Sequence, residues 1–172
     1  MVVSNLDLTE IVAHEKYWQF ADAYIDAAIC QCQRFGEDGV VWNYPAACVS
    51  AHLGRHAVEL FLKGMLASRC GSVEKGHWIS TLSEKYKITF TEPEFDWEIP
   101  FDTKNPIPNL LKKFPPDQLD RYPLRKGIED WDLFIQAYTK PGLLDCLQKT
   151  KSAFNNLKQA EIQRRASTGG DK

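Results

Sequence analysis

The stretch from Ser50 to Gly71, SAHLGRHAVELFLKGMLASRCG, decides the fold. Leu53, Ala57, Leu60, Phe61 and Gly64 recur at steps that keep them on one side of an α-helix, and Val49 extends the line backwards. Asn43-Tyr44-Pro45 marks its start, because proline suits the first helical turn. Gly71 marks its end, because glycine accepts the left-handed backbone that closes a helix. Gly54 and Gly64 stand inside the helix, where each costs about 1 kcal/mol against alanine. A close crossing by another helix would explain them, since a missing side chain lets two backbones approach; the plainer alternative is a tolerated local weakness.

Two more segments show the same period. Ile11, His14, Trp18, Ala21, Ile25, Ala28, Cys32 and Phe35 form a long seam after a capping-box pattern at Asp7-Leu8-Thr9-Glu10, and Gly36 and Gly39 close it. Leu143, Leu147, Thr150, Phe154 and Leu157 form the seam of a last helix that begins near Pro141-Gly142 and fades near Arg165. A short helix is expected from Trp78 to Tyr86. His14 lies on an apolar seam, where a histidine is ordinarily packed and hydrogen-bonded rather than a ligand.

The remainder, residues 87–140, has a different character. Lys87 to Arg125 holds seven of the nine prolines, so no long helix crosses it. Phe95 to Phe101 alternates apolar and polar residues, as an extended segment lying on a core does. Asn109 to Phe114 suits one or two helical turns. Leu119 to Leu124 and Ile128 to Phe134 suit a hairpin turning at Lys126-Gly127. The expected fold is all-α: an up-and-down bundle of four to five helices in one domain, residues 1–165. It carries a loop-rich insertion at 87–140 and a disordered tail at 166–172.

A chain of 172 residues suits one domain, and a net charge of −2 argues against a broad cationic surface. The five cysteines show no CxxC pair, which points to free buried thiols in a reducing compartment. Cys30 and Cys32, two apart, should face different sides of their helix. The start lacks a signal-peptide pattern, and no apolar run nears the roughly 20 residues of a membrane span. The expectation is a cytoplasmic protein with no membrane attachment and no cofactor.

His52, His56, Glu59 and Lys63 follow one another at steps of four, three and four, a polar line flanking the apolar one. Polar groups at such a boundary need partners, because an unpaired buried polar atom costs about 1–3 kcal/mol. Three readings compete. His52 and His56 could hold zinc with Glu59 or His77, although Leu53 replaces the glutamate of an HExxH site. A nucleophile could be present, although GxSxG is absent. The plainest reading is a Glu59–Lys63 ion pair beside boundary histidines, with no metal.

HAVELFLKGML, from His56 to Leu66, then a glycine-bearing turn and Gly76-His77 opening a short helix, resembles the HEPN (higher eukaryotes and prokaryotes nucleotide-binding) domain family. Tyr44-Pro45-Ala46 and Arg121-Tyr122-Pro123 are similar to features of its prokaryotic members. The resemblance implies an all-α bundle, usually dimeric. Many members are metal-independent ribonucleases with an arginine, four to six residues, then a histidine, late in the domain. Others lack that motif and act as nucleotide-binding, antitoxin-linked or scaffold modules.

This chain departs from the nuclease pattern. Its closest pair is Arg69 and His77, with seven residues between, and Gly71 interrupts them. The expectation is therefore a non-catalytic module that binds a nucleotide, an RNA or a protein. A nucleotidyltransferase-type protein would be its partner in a toxin–antitoxin setting. The alternatives are a ribonuclease with His56 or His77 as base and Arg55, Arg69 or Arg121 at the phosphate, and a structural dimerisation module. Lys112, Lys113, Arg121, Arg125 and Lys126, with Tyr122 among them, form the densest basic segment and the best candidate for an acidic ligand; the competing reading is a solvated loop in which Asp117 and Asp120 offset part of the charge. The stripe from His52 to Lys63 is the second candidate.

Overall fold

The structure, a computed structural model, describes residues 12–35, 43–72, 75–101 and 140–168. Among these lie four α-helices, α1 (Ala13–Arg34), α2 (Tyr44–Cys70), α3 (Ile79–Thr89) and α4 (Lys140–Thr168), and a 3-10 turn, Pro93–Phe95. The fold of the described residues is an all-α bundle, and no helix among them is long and apolar enough to cross a membrane.

Side-chain pairings fix the topology. Trp18 faces Gly64 and Tyr24 faces His56, so α1 and α2 run antiparallel. His14 meets Arg165, and Asp22 meets Lys158, so α4 is antiparallel to α1. Ser68 bonds Glu161, 93 residues on, and Gly54–Leu147 and Phe61–Phe154 keep that separation. α2 and α4 are therefore parallel, as alternating up and down helices require.

The α1 seam from His14 to Cys32 is buried at every expected position described. Its start differs from expectation. Val12 is extended (φ −60°, ψ 143°) and caps the helix by its carbonyl, and the capping-box pattern at Asp7 to Glu10 lies outside the described residues. At α2 the expected start and stop hold: proline stands in the first turn and Gly71 closes the helix at φ 68°, and Asn43 Oδ1 adds a cap by accepting the Ala46 N–H at 3.0 Å. The α2 seam is shifted. Val49 is 47% exposed, and the buried set includes Ala51, Ala57, Val58, Phe61, Leu62, Met65 and Leu66. α2 packs on α1, α3 and α4 together, so its apolar surface is wider than one stripe.

The two α2 glycines mark these crossings. A β-carbon at Gly54 would lie 2.4 Å from Leu147 Cδ2, and one at Gly64 would lie 2.6 Å from Trp18 Cδ1. α4 and α1 thus approach α2 only because side chains are missing there. After α3, Phe95 and Ile99 are buried while Asp96 and Glu98 are exposed, so the expected alternation holds, although its first residue belongs to the 3-10 turn. α4 runs to Thr168, past the expected tail boundary. The helical turns at 109–114 and the hairpin at 119–134 lie outside the described residues.

Candidate functional site around Glu59

α2 presents the polar line where it borders α1 and the connection to α3. Its centre is Glu59, 9% exposed. Glu59 Oε1 accepts from Lys63 Nζ at 2.8 Å and from His77 Nδ1 at 2.8 Å. The His56 Nδ1 lies 3.6 Å from Oε2. The line is thus half-buried as its phase implies, and His77, a loop residue, is drawn onto it from 18 positions away.

Burial pushes the Glu59 carboxyl upward, but hydrogen bonds from His56, Lys63 and His77 outweigh it and hold the group at about 2. The carboxylate is ionised at neutral pH and can only accept, so His77 donates its Nδ1–H and Nε2 is the ring nitrogen that Glu59 does not engage. The His77 side chain is 79% exposed, whereas Lys63 is buried against Glu59. His56 packs edge-on to Tyr24, with centroids 4.5 Å apart, and its ring lies parallel to His52 at 6.4 Å.

The metal reading finds no support in this arrangement. Among the described residues no group of three His, Cys, Asp or Glu side chains is placed to hold a metal ion. The Glu59 carboxylate is already neutralised by the Lys63 ammonium.

Arg69 is not brought to His77. Its Nη1 donates to Thr89 O and to both Glu92 oxygens, each at 2.9 Å, and its Nη2 reaches Glu161 at 3.3 Å. Its guanidinium lies 4.0 Å from the Phe90 ring centroid and 4.8 Å from that of Phe95. Glu161, fully buried, also takes two bonds from Arg164 at 2.9 Å and one from Ser68. Arg69 is a clamp joining α2, α3, the 3-10 turn and α4. Arg55 lies over Phe101 at 5.6 Å.

No known family profile, curated protein or solved structure matches the chain. The site is therefore read from its own chemistry. The sequence reading missed Glu161, although a signal was present: it continues the α4 seam one step beyond Leu157, a carboxylate on an apolar line. His14 is buried, its Nε2 accepts from Arg165, and it stands edge-on to Trp18, as a packed histidine should. None of the five cysteines is in a disulfide, and Cys32 is buried and Cys30 exposed on opposite sides of α1. Cys70 is also exposed, so the expectation of buried thiols holds for Cys32 and Cys48 and fails for Cys30 and Cys70. Lys112, Lys113, Arg121, Tyr122, Arg125 and Lys126 lie outside the described residues.

The cluster predicts an acid-sensitive fold. Glu59 is lowered from an ordinary 4.5, so the unfolded chain takes up its proton first as pH falls. Its contribution is complete above 4.5 and is lost on the way down to about 2, with an upper bound of about 3 kcal/mol. His14 acts with the same sign: burial, then the Arg165 charge, lower it from 6.5, so stability falls once the unfolded histidine protonates. Denaturant unfolding at a series of pH values should show stability falling steadily below about pH 6.5. Glu59→Gln should be less stable at neutral pH and flatter in acid; an unchanged acid slope would contradict the assignment.

Proposed function

We propose that this chain is a HEPN-like binding module without catalytic activity, and that its ligand is a nucleotide or an RNA. The fate of Arg69 carries the reading. In-line cleavage by a ribose hydroxyl needs a base at the hydroxyl and a cation at the phosphate. The arginine nearest the nuclease spacing spends both terminal nitrogens on Glu92, Glu161 and Thr89 O, and Lys63 is spent on Glu59. The resemblance of the α2 and Gly76-His77 segments supports the family. The four-helix order, with α2 at the centre of the bundle, fits it. The same resemblance makes a homodimer the assembly and a nucleotidyltransferase-type protein the partner.

The ligand is expected on the basic segment from Lys112 to Lys126, because arginines there can grip phosphate with paired hydrogen bonds. Fluorescence anisotropy with labelled single-stranded RNA, in chelator, tests this. Binding should weaken with salt, and Arg121→Ala with Arg125→Ala should weaken it by about tenfold or more. The RNA should stay intact. Shortening of the RNA that disappears in His77→Ala or His56→Ala would make the protein a ribonuclease instead. Absence of binding would leave a structural dimerisation module.

A further inference from the structure

The Glu59–His77 contact has more chemistry in it than a tether needs. A buried carboxylate holds one edge of an imidazole through Nδ1, at 2.8 Å, while the His77 side chain stays 79% exposed. The opposite edge, with Nε2, therefore faces solvent. Its lone pair is not used by Glu59. Among the described residues the approach is open: a β-carbon added at neighbouring Gly76 would meet none of them within 4 Å. Lys75, exposed and two residues before His77, adds a positive charge on the same short connection. The negative charge of Glu59 is offset from behind by the Lys63 ammonium at 2.8 Å, so an incoming anion is not repelled.

We propose that His77 is a phosphoryl-accepting histidine, with Nε2 as nucleophile and Glu59 as the group that positions the ring. The donor class is an acyl phosphate. The Nε2 lone pair attacks phosphorus, a P–N bond forms, and the P–O bond to the acyl group breaks. The carboxylate leaves with that electron pair. The proton stays on Nδ1, where Glu59 stabilises the positive charge that develops on the ring. Glu59 acts through His77 and is a positioning residue.

The other histidines provide the comparison within the same molecule. His14 is buried, and His52 and His56 are half-buried, with His56 packed against Tyr24. Only exposure together with a carboxylate at Nδ1 distinguishes His77 among the four.

The full chain is incubated with acetyl phosphate at neutral pH and read by intact mass and by phosphorus NMR. One acid-labile phosphoryl group should appear, mapping to His77 Nε2. Its rate should exceed that of the same residue in the urea-unfolded chain by about tenfold, the scale on which an orienting carboxylate acts on a histidine. Glu59→Gln should slow it similarly while His77 remains. If that variant fails to fold, the native-against-unfolded comparison still decides. Phosphoryl groups spread over His52 and His56, or a native rate at His77 no faster than in the unfolded chain, would overturn the proposal.

Discussion

Arg69→Ala should lower stability by about 3 kcal/mol, a fall in melting temperature on the order of 10 °C, although the residue lies at a helix end. The Arg69 side chain is 15% exposed and ties three later segments to α2. It donates to Glu92 and Thr89 O, reaches Glu161, and lies against the faces of Phe90 and Phe95. Breaking a buried pair costs about 3–5 kcal/mol because the remaining charge stays buried. The lower end applies here, since Arg164 and Ser68 keep three bonds to Glu161. Arg69→Lys should recover little: one ammonium cannot span Thr89, Glu92 and Glu161 or lie flat between two rings. Thermal denaturation followed by circular dichroism measures both variants. A parent-like melt for Arg69→Ala would mean that the clamp contributes nothing and would return the arginine to the pool of ligand-binding cations.

The same result separates two kinds of evidence about catalysis. If RNA cleavage were ever observed, its loss in Arg69→Ala would carry no mechanistic weight in a destabilised protein. His77→Ala is the cleaner probe, because its side chain is mostly exposed and its removal leaves Glu59 with Lys63.

How far the chain could be read depends on the range of the signal. Features within one helix were legible. The α1 seam, the α2 start at Pro45, the Gly71 stop and the half-buried phase of Glu59 and Lys63 all follow from local sequence. So did the meaning of Gly54 and Gly64, since a glycine's cost inside a helix needs a compensating contact. Features joining separate segments were not legible. Arg69 meets Glu92 at 23 residues' separation and Glu161 at 92, and no periodicity links them. Arg69 therefore read as a free cation near a histidine. Val49 differs for a related reason: a single apolar stripe suits a helix with one neighbour, three neighbours cover α2, and helical phase alone does not give their number.

Trp18→Ala should be the most damaging single truncation, at about 3–5 kcal/mol. Trp18 is 6% exposed, and its indole fills the space that Gly64 leaves on α2. The size of the loss depends on how well the surroundings collapse. Here the facing residue has no side chain to move inward, so the cavity persists and the cost lies at the upper end. The indole N–H meets no hydrogen-bond acceptor among the described residues, so its loss adds nothing to the cost. Trp18→Phe, which keeps most of the ring and drops that N–H, should therefore be much milder. Gly64→Ala tests the same contact from the other side. In the parent its β-carbon would sit 2.6 Å from Cδ1 and 2.8 Å from Nε1 of Trp18, with Tyr17 Cβ at 3.1 Å, so it must destabilise. In the Trp18→Ala background the indole clash is gone and the methyl enters the cavity. The double mutant should then be more stable than the two single costs add up to, by about 1 kcal/mol or more. Denaturant unfolding of the four proteins completes the cycle. Strict additivity would mean that Trp18 and Gly64 do not share a contact, and the antiparallel packing of α1 on α2 would lose its main support.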